Sequence, residues 1–137
     1  MPAAAGYSGT PLAKKLNLKD GMRVWFGSMP ESVHTEINGF GLTLVEESAP
    51  IQGIDAAYVF VTEKSALAER LTELRNRIDP AGQLWICWPK KSSKVPTDMT
   101  EDIIRELALP MGWVDVKVCA VDAVWSGLKL VIRKELR

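Results

Sequence analysis

Residues 55–88 read DAAYVFVTEKSALAERLTELRNRIDPAGQLWICW, and their three-part pattern decides the fold class. The first part, AAYVFV (56–61), is apolar at every position, as a parallel strand is when both of its faces are buried. Leu67, Leu71, Leu74 and Ile78 then recur at the α-helical period, predicting an amphipathic helix with Thr62 as its cap. Asp79-Pro80-Ala81-Gly82 carries turn chemistry, and QLWICW (83–88) is a second buried strand. Strand, helix and strand at this spacing form a βαβ crossover, which is right-handed in nearly all proteins.

The pattern extends in both directions. Thr10-Pro11 reads as a cap and first helical residue, followed by Leu12 and Leu16 one turn apart. MRVWFG (22–27) and LTLVEE (42–47) read as strands, with the helix PESVHTEIN (30–38) between them. Beyond residue 88, Asp98 with Glu101 resembles a capping box, and Ile103, Ile104, Leu107 and Ala108 supply an apolar stripe. VDVKVCAV (114–121) and GLKLVIRK (127–134) form a hairpin across residues 122–126. The expectation is one α/β domain over residues 1–137, with 1–9 as a flexible N-terminal segment. Its sheet is mainly parallel, has about six strands and ends in an antiparallel hairpin.

Composition narrows the partners. The 137 residues carry 17 basic and 17 acidic side chains, for no formal net charge. Duplex-binding proteins need a basic excess to release counterions, so no nucleic-acid partner is expected. No apolar run approaches the roughly 20 residues that span a bilayer, so no membrane partner is expected either. The opening MPAAAGYSGT has no basic region followed by an apolar run, and so does not read as a secretory signal. Cys87 and Cys119 sit apart in apolar runs, as buried reduced thiols of a cytoplasmic protein do.

From residue 22 onward the succession of elements resembles a class I methyltransferase, most clearly at 55–88 and in the final helix and hairpin. That resemblance implies a three-layer, Rossmann-like sheet of strand order 2-1-3-4-6-5, the last strand lying antiparallel between its neighbours. AGYSGTPLAKKL (5–16), WPKK (88–91) with TDMTEDIIRELALP (97–110), and KVCAVDAVWSGLKLVIR (117–133) resemble a bacterial domain-of-unknown-function family, family 3052. This second resemblance spans nearly the whole chain and brings no activity with it.

Cofactor chemistry is argued both ways. Rossmann-like folds bind at the carboxyl edge of the sheet, where glycines after the first strand let the backbone approach the ligand. Gly27-Ser28-Met29-Pro30-Glu31-Ser32 fills only the first glycine position, and Met29 is bulky. The chain is also short between Glu47 and Ala56, where a fuller core holds another helix and strand. Both features argue against S-adenosylmethionine or a dinucleotide, so no cofactor is expected. Glu46 or Glu47 argues the other way, because an acid ending the second strand can hold ribose hydroxyls; a solvated loop also looks like this.

The carboxyl edge collects the remaining candidates. Trp88, Lys90 and Lys91 leave one strand there, Trp125 and Ser126 lie in the hairpin turn, and Tyr7, Ser8 and Thr10 precede the first helix. Hydroxyls, lysines and flat apolar walls suit a small anionic ligand bearing phosphate or carboxylate. The competing reading makes the lysines solubilising and the tryptophans structural. No residue is assigned a catalytic role and no metal is expected: His34 is the only histidine, and no G-x-S-x-G elbow occurs. The resulting expectation is a non-enzymatic binding or regulatory module with an anion site. The alternatives are a divergent S-adenosylmethionine-dependent methyltransferase or other transferase, and a homodimeric interaction module.

Overall fold

The computed structural model describes residues 9–137. Tyr7 and Ser8 lie outside the described residues. Six strands form one sheet: β1 (Arg23–Gly27), β2 (Val45–Glu47), β3 (Ile54–Phe60), β4 (Ile78–Pro89), β5 (Trp113–Ala120) and β6 (Trp125–Ile132). The order is β2-β1-β3-β4-β6-β5. β1 to β4 pair in parallel, while β6 is antiparallel to both β4 and β5. The expected order therefore holds. Cys87 and Cys119 lie on β4 and β5, each in register with Gly127 of the intervening β6.

Helices α1 (Leu12–Lys15), α2 (Glu31–Gly39), α3 (Lys64–Arg77) and α4 (Glu101–Ala108) complete the chain with short 3-10 turns. One face of the sheet packs against α3 and α4 through Leu67, Leu71, Leu74, Ile104 and Ala108. The opposite face meets α1 and α2 through Leu12, Leu16, Val33 and Ile37. Leu67, Leu71 and Leu74 are fully buried, which stabilises the fold by about 1.5–3 kcal/mol for each side chain. Tyr58 ties the second face together, since its buried hydroxyl donates to the Leu16 carbonyl at 2.7 Å. No helix among the described residues is long and apolar enough to cross a membrane.

Several boundaries differ from the sequence reading. β4 begins at Ile78, so the Asp79–Gly82 stretch belongs to an irregular strand rather than a separating turn. Gly82 is required there, because a Cβ would lie 2.6 Å from the Asp55 carbonyl oxygen. β2 shrinks to three residues, while Leu42 and Leu44 pack into the core instead of extending the edge. The caps also change. Pro11 and Glu63 precede α1 and α3 without side-chain capping bonds, displacing Thr10 and Thr62 from those roles. Thr100, rather than Asp98, caps α4 by accepting from the Ile103 amide at 3.1 Å.

Candidate functional site

β1 ends at Gly27, and Ser28 turns the chain with φ of 55°. This left-handed conformation is the one a glycine usually supplies. Ser28 lies between the first two glycine positions of that spacing, and Met29 stands at the second. Gly27 has a different reason to be glycine. It shares a strand face with Trp25, and a Cβ would meet that indole ring at 2.6 Å. Arg70 of α3 covers the same indole, 4.9 Å from its centroid.

Beside this turn, α2 and β2 form a polar relay. Asn38 Nδ2 donates to His34 Nδ1 at 3.1 Å, which leaves the ring proton on Nε2, donated to Glu46 Oε1 at 2.7 Å. Phe26 meets the His34 ring edge-on, with centroids 5.6 Å apart. Glu46 remains 46% exposed, so it has an oxygen and open space for a further donor. Glu47 is turned away and pairs with Arg23 at 3.3 Å. The lone histidine therefore has a partner that the sequence did not reveal: residues 34 and 46 are joined only when α2 folds back along β2.

The remaining candidates separate into two kinds. Trp88 pairs with Ser126 and Pro89 with Trp125 across β4 and β6, and Trp125 meets Phe60 edge-on at 5.0 Å. Lys90 is turned into the hairpin: its Nζ donates to the Asp122 carbonyl at 2.6 Å and its amide to Val124 at 2.7 Å. Asp122 Oδ1 secures that turn by accepting from the Val124 and Trp125 amides, both at 2.8 Å. These residues do come together, as structural partners. Lys91 is exposed and opens a 3-10 turn, and Thr10 is exposed ahead of α1.

A cavity of about 410 Å³ lies beside this edge, walled by Trp88, Pro89, Thr97, Met99 and Thr100, with Lys91 at its margin. Thr97 and Asp98 shape it. Thr97 Oγ1 donates to the Thr62 carbonyl at 2.6 Å, and Asp98 Oδ1 accepts from the Lys64 amide at 2.8 Å. Nothing in the local sequence signals these long-range bonds. Cys87 and Tyr58 are chemically quiet, since burial pushes the thiol and the phenol well above their ordinary pKa values.

No protein-family model and no curated protein matches the chain. Solved structures do match. A protein assigned as a type 11 methyltransferase from Sulfolobus solfataricus superposes with a TM-score of 0.65 at 14% identity, over 90% of each chain. The fold is that of the class I methyltransferases. An S-adenosylmethionine-dependent methyltransferase from Aquifex aeolicus gives 0.62 at 17% identity, over 88% of this chain and 87% of that one. Aeropyrum pernix fibrillarin, solved with natively bound S-adenosylmethionine, gives 0.52 at 13% identity, over 89% and 69%.

These neighbours correct the functional expectation. A non-enzymatic module with an anion site at the carboxyl edge is not what they favour; they favour the methyltransferase alternative. The error has a physical source. The glycine-poor loop was read as denying a cofactor its seat, whereas the sheet order and the left-handed turn at Ser28 keep the architecture without those glycines.

Proposed function

We propose that the chain is a divergent S-adenosylmethionine-dependent methyltransferase. The observation that carries this reading is the left-handed Ser28 turn after β1, together with a half-exposed Glu46 carboxylate on the neighbouring strand β2. The donor set fits the group. A carboxylate with a free oxygen accepts from a ribose diol, and the Gly27–Ser28 backbone leads into the N-terminus of α2. His34 orients Glu46 through its Nε2 proton. When bound, the group supplies an electrophilic methyl for transfer to a nucleophile.

The protein's own contribution is placement and exclusion of water. Trp88 and Met99 give the 410 Å³ cavity an apolar floor, and both are nearly fully buried. The bonds donated by the Thr97 hydroxyl to the Thr62 carbonyl and by the Lys64 amide to Asp98 fix the cavity wall against the start of α3. Such a cavity suits a small acceptor with a flat or apolar body.

The reading is tested by methyl transfer from radiolabelled S-adenosylmethionine to a panel of small thiol, amine and phenol acceptors. Label should move to one class, with the rate lowered by Glu46→Gln. A folded protein that transfers no label and shows no saturable S-adenosylmethionine binding would overturn the reading.

A further inference from the structure

A second cavity, of about 570 Å³, opens at the opposite edge of the sheet, where the first residues of β3 and β4 approach the end of β6. Its walls carry opposite charges: Lys19 and Lys129 on one hand, Asp20, Asp55 and Asp79 on the other. Lys129 stands directly opposite Lys117 in the β5–β6 ladder and opposite Trp85 in the β4–β6 ladder. Lys117 Nζ lies 5.7 Å from the Trp85 ring centroid. Like charges facing each other across a ladder destabilise it. Among the described residues, Lys19, Lys117 and Lys129 form no ion pair that would offset this.

The lysine end is held in place. Lys129 Nζ donates to Asn17 Oδ1 at 3.0 Å, and an ammonium has two further protons to give. Asn17 has φ of 57°, a conformation that costs energy in a non-glycine residue and keeps its amide beside Lys129. The buried Gln83 anchors it by donating from Nε2 to the Asn17 carbonyl at 3.1 Å, while its Oε1 accepts from Trp85 Nε1 at 2.9 Å. Burial, with Lys117 and Lys19 nearby, also holds the Lys129 pKa below its ordinary value.

At the other end, each carboxylate uses one oxygen on a backbone amide. Asp20 accepts from Thr43, Asp55 from Arg23 and Asp79 from Ala81, at 2.7, 2.8 and 2.9 Å. The second oxygens are left to accept from a ligand. No metal-holding group of three or more His, Cys, Asp or Glu exists among the described residues, so the aspartates do not read as a cation site.

We propose that this cavity binds a small phosphomonoester that carries hydroxyl groups. Its phosphate lies against Lys129 and Lys19, with Lys117 behind, and its hydroxyls donate to Asp20, Asp55 and Asp79. Lysines act as point charges for phosphate, and the volume suits a metabolite. The site is separate from the carboxyl edge and does not depend on the methyltransferase reading.

Ribose 5-phosphate is the probe, with inorganic phosphate for comparison. At a hundredfold excess over Kd, ribose 5-phosphate should raise Tm by about 5–10 °C, and more than inorganic phosphate does. Amide NMR shifts should centre on Asn17, Gly82 and Lys129 rather than on Ser28. Lys129→Gln and Lys19→Gln should each weaken binding at least tenfold, with the exposed Lys14→Gln unchanged. Absence of binding at millimolar probe, or an affinity that both cavity variants leave unchanged from the native protein, would overturn the proposal. So would displacement of the probe by an RNA oligonucleotide with steep salt dependence, which would make these lysines a nucleic-acid surface.

Discussion

Asp98 Oδ1 accepts the Lys64 amide hydrogen at 2.8 Å, so the loop after β4 caps the helix that precedes β4. The first amides of α3 have no partner inside the helix, and Glu63 gives them none from its side chain. Asp98→Ala should therefore cost about 1 kcal/mol, as loss of an N-cap does. Urea unfolding checks this. Asp98→Asn, which keeps the acceptor oxygen, should recover most of the loss.

Gly27 predicts a second cost. A methyl at this position enters the Trp25 ring, which Arg70 covers at 4.9 Å. Gly27→Ala should destabilise by about 1–3 kcal/mol through overpacking, whether or not a ligand is present. A folded variant of unchanged stability, with ligand binding alone reduced, would show instead that this glycine serves the ligand.

These two positions show what the sequence could and could not disclose. The strand order was legible because residues 56–61 and 83–88 are apolar throughout and flank one amphipathic helix. The βαβ handedness and the final hairpin then leave little freedom. Asp98 looked like the cap of its own helix because capping is read from neighbours in sequence. Its true partner is 34 residues away. Lys90 looked like a free cation for the same reason, until the hairpin carbonyl of Asp122 took its Nζ. The loop after β1 misled most: it lacks two of the three glycines, and residue type does not reveal that Ser28 takes φ of 55° there.

The buried tryptophans differ in a way that mutation should expose. Trp85 Nε1 donates to Gln83 Oε1 at 2.9 Å, whereas Trp113 Nε1 is buried with no partner. Trp85→Phe strands a buried amide oxygen; Trp113→Phe removes an unsatisfied donor. Both leave some empty volume, but Trp85→Phe should cost about 1–3 kcal/mol more. Denaturant midpoints at equal m-values provide the comparison.

Acid should weaken the contact between α4 and β5. Asp115 Oδ2 accepts from Arg105 Nε at 2.9 Å, and that bond holds the Asp115 carboxyl below its ordinary range. A carboxyl depressed in the folded state stabilises above its unfolded pKa, near 4. That contribution is lost as pH falls through the lower, folded value. Both side chains are roughly one-third exposed, so about 0.5–1 kcal/mol is at stake. The stability gap between the native protein and Asp115→Asn should be full at pH 6 and close as pH falls below about 4.

The central claim is that Ser28 and Glu46 form the cofactor end of a methyltransferase site, and calorimetric titration with S-adenosylhomocysteine tests it most directly. We expect saturable binding at one site, weakened at least tenfold (about 1.4 kcal/mol) by Glu46→Ala, with Glu46→Gln intermediate. Absence of heat from the folded protein at millimolar ligand, or an affinity that Glu46→Ala leaves unchanged, would contradict it.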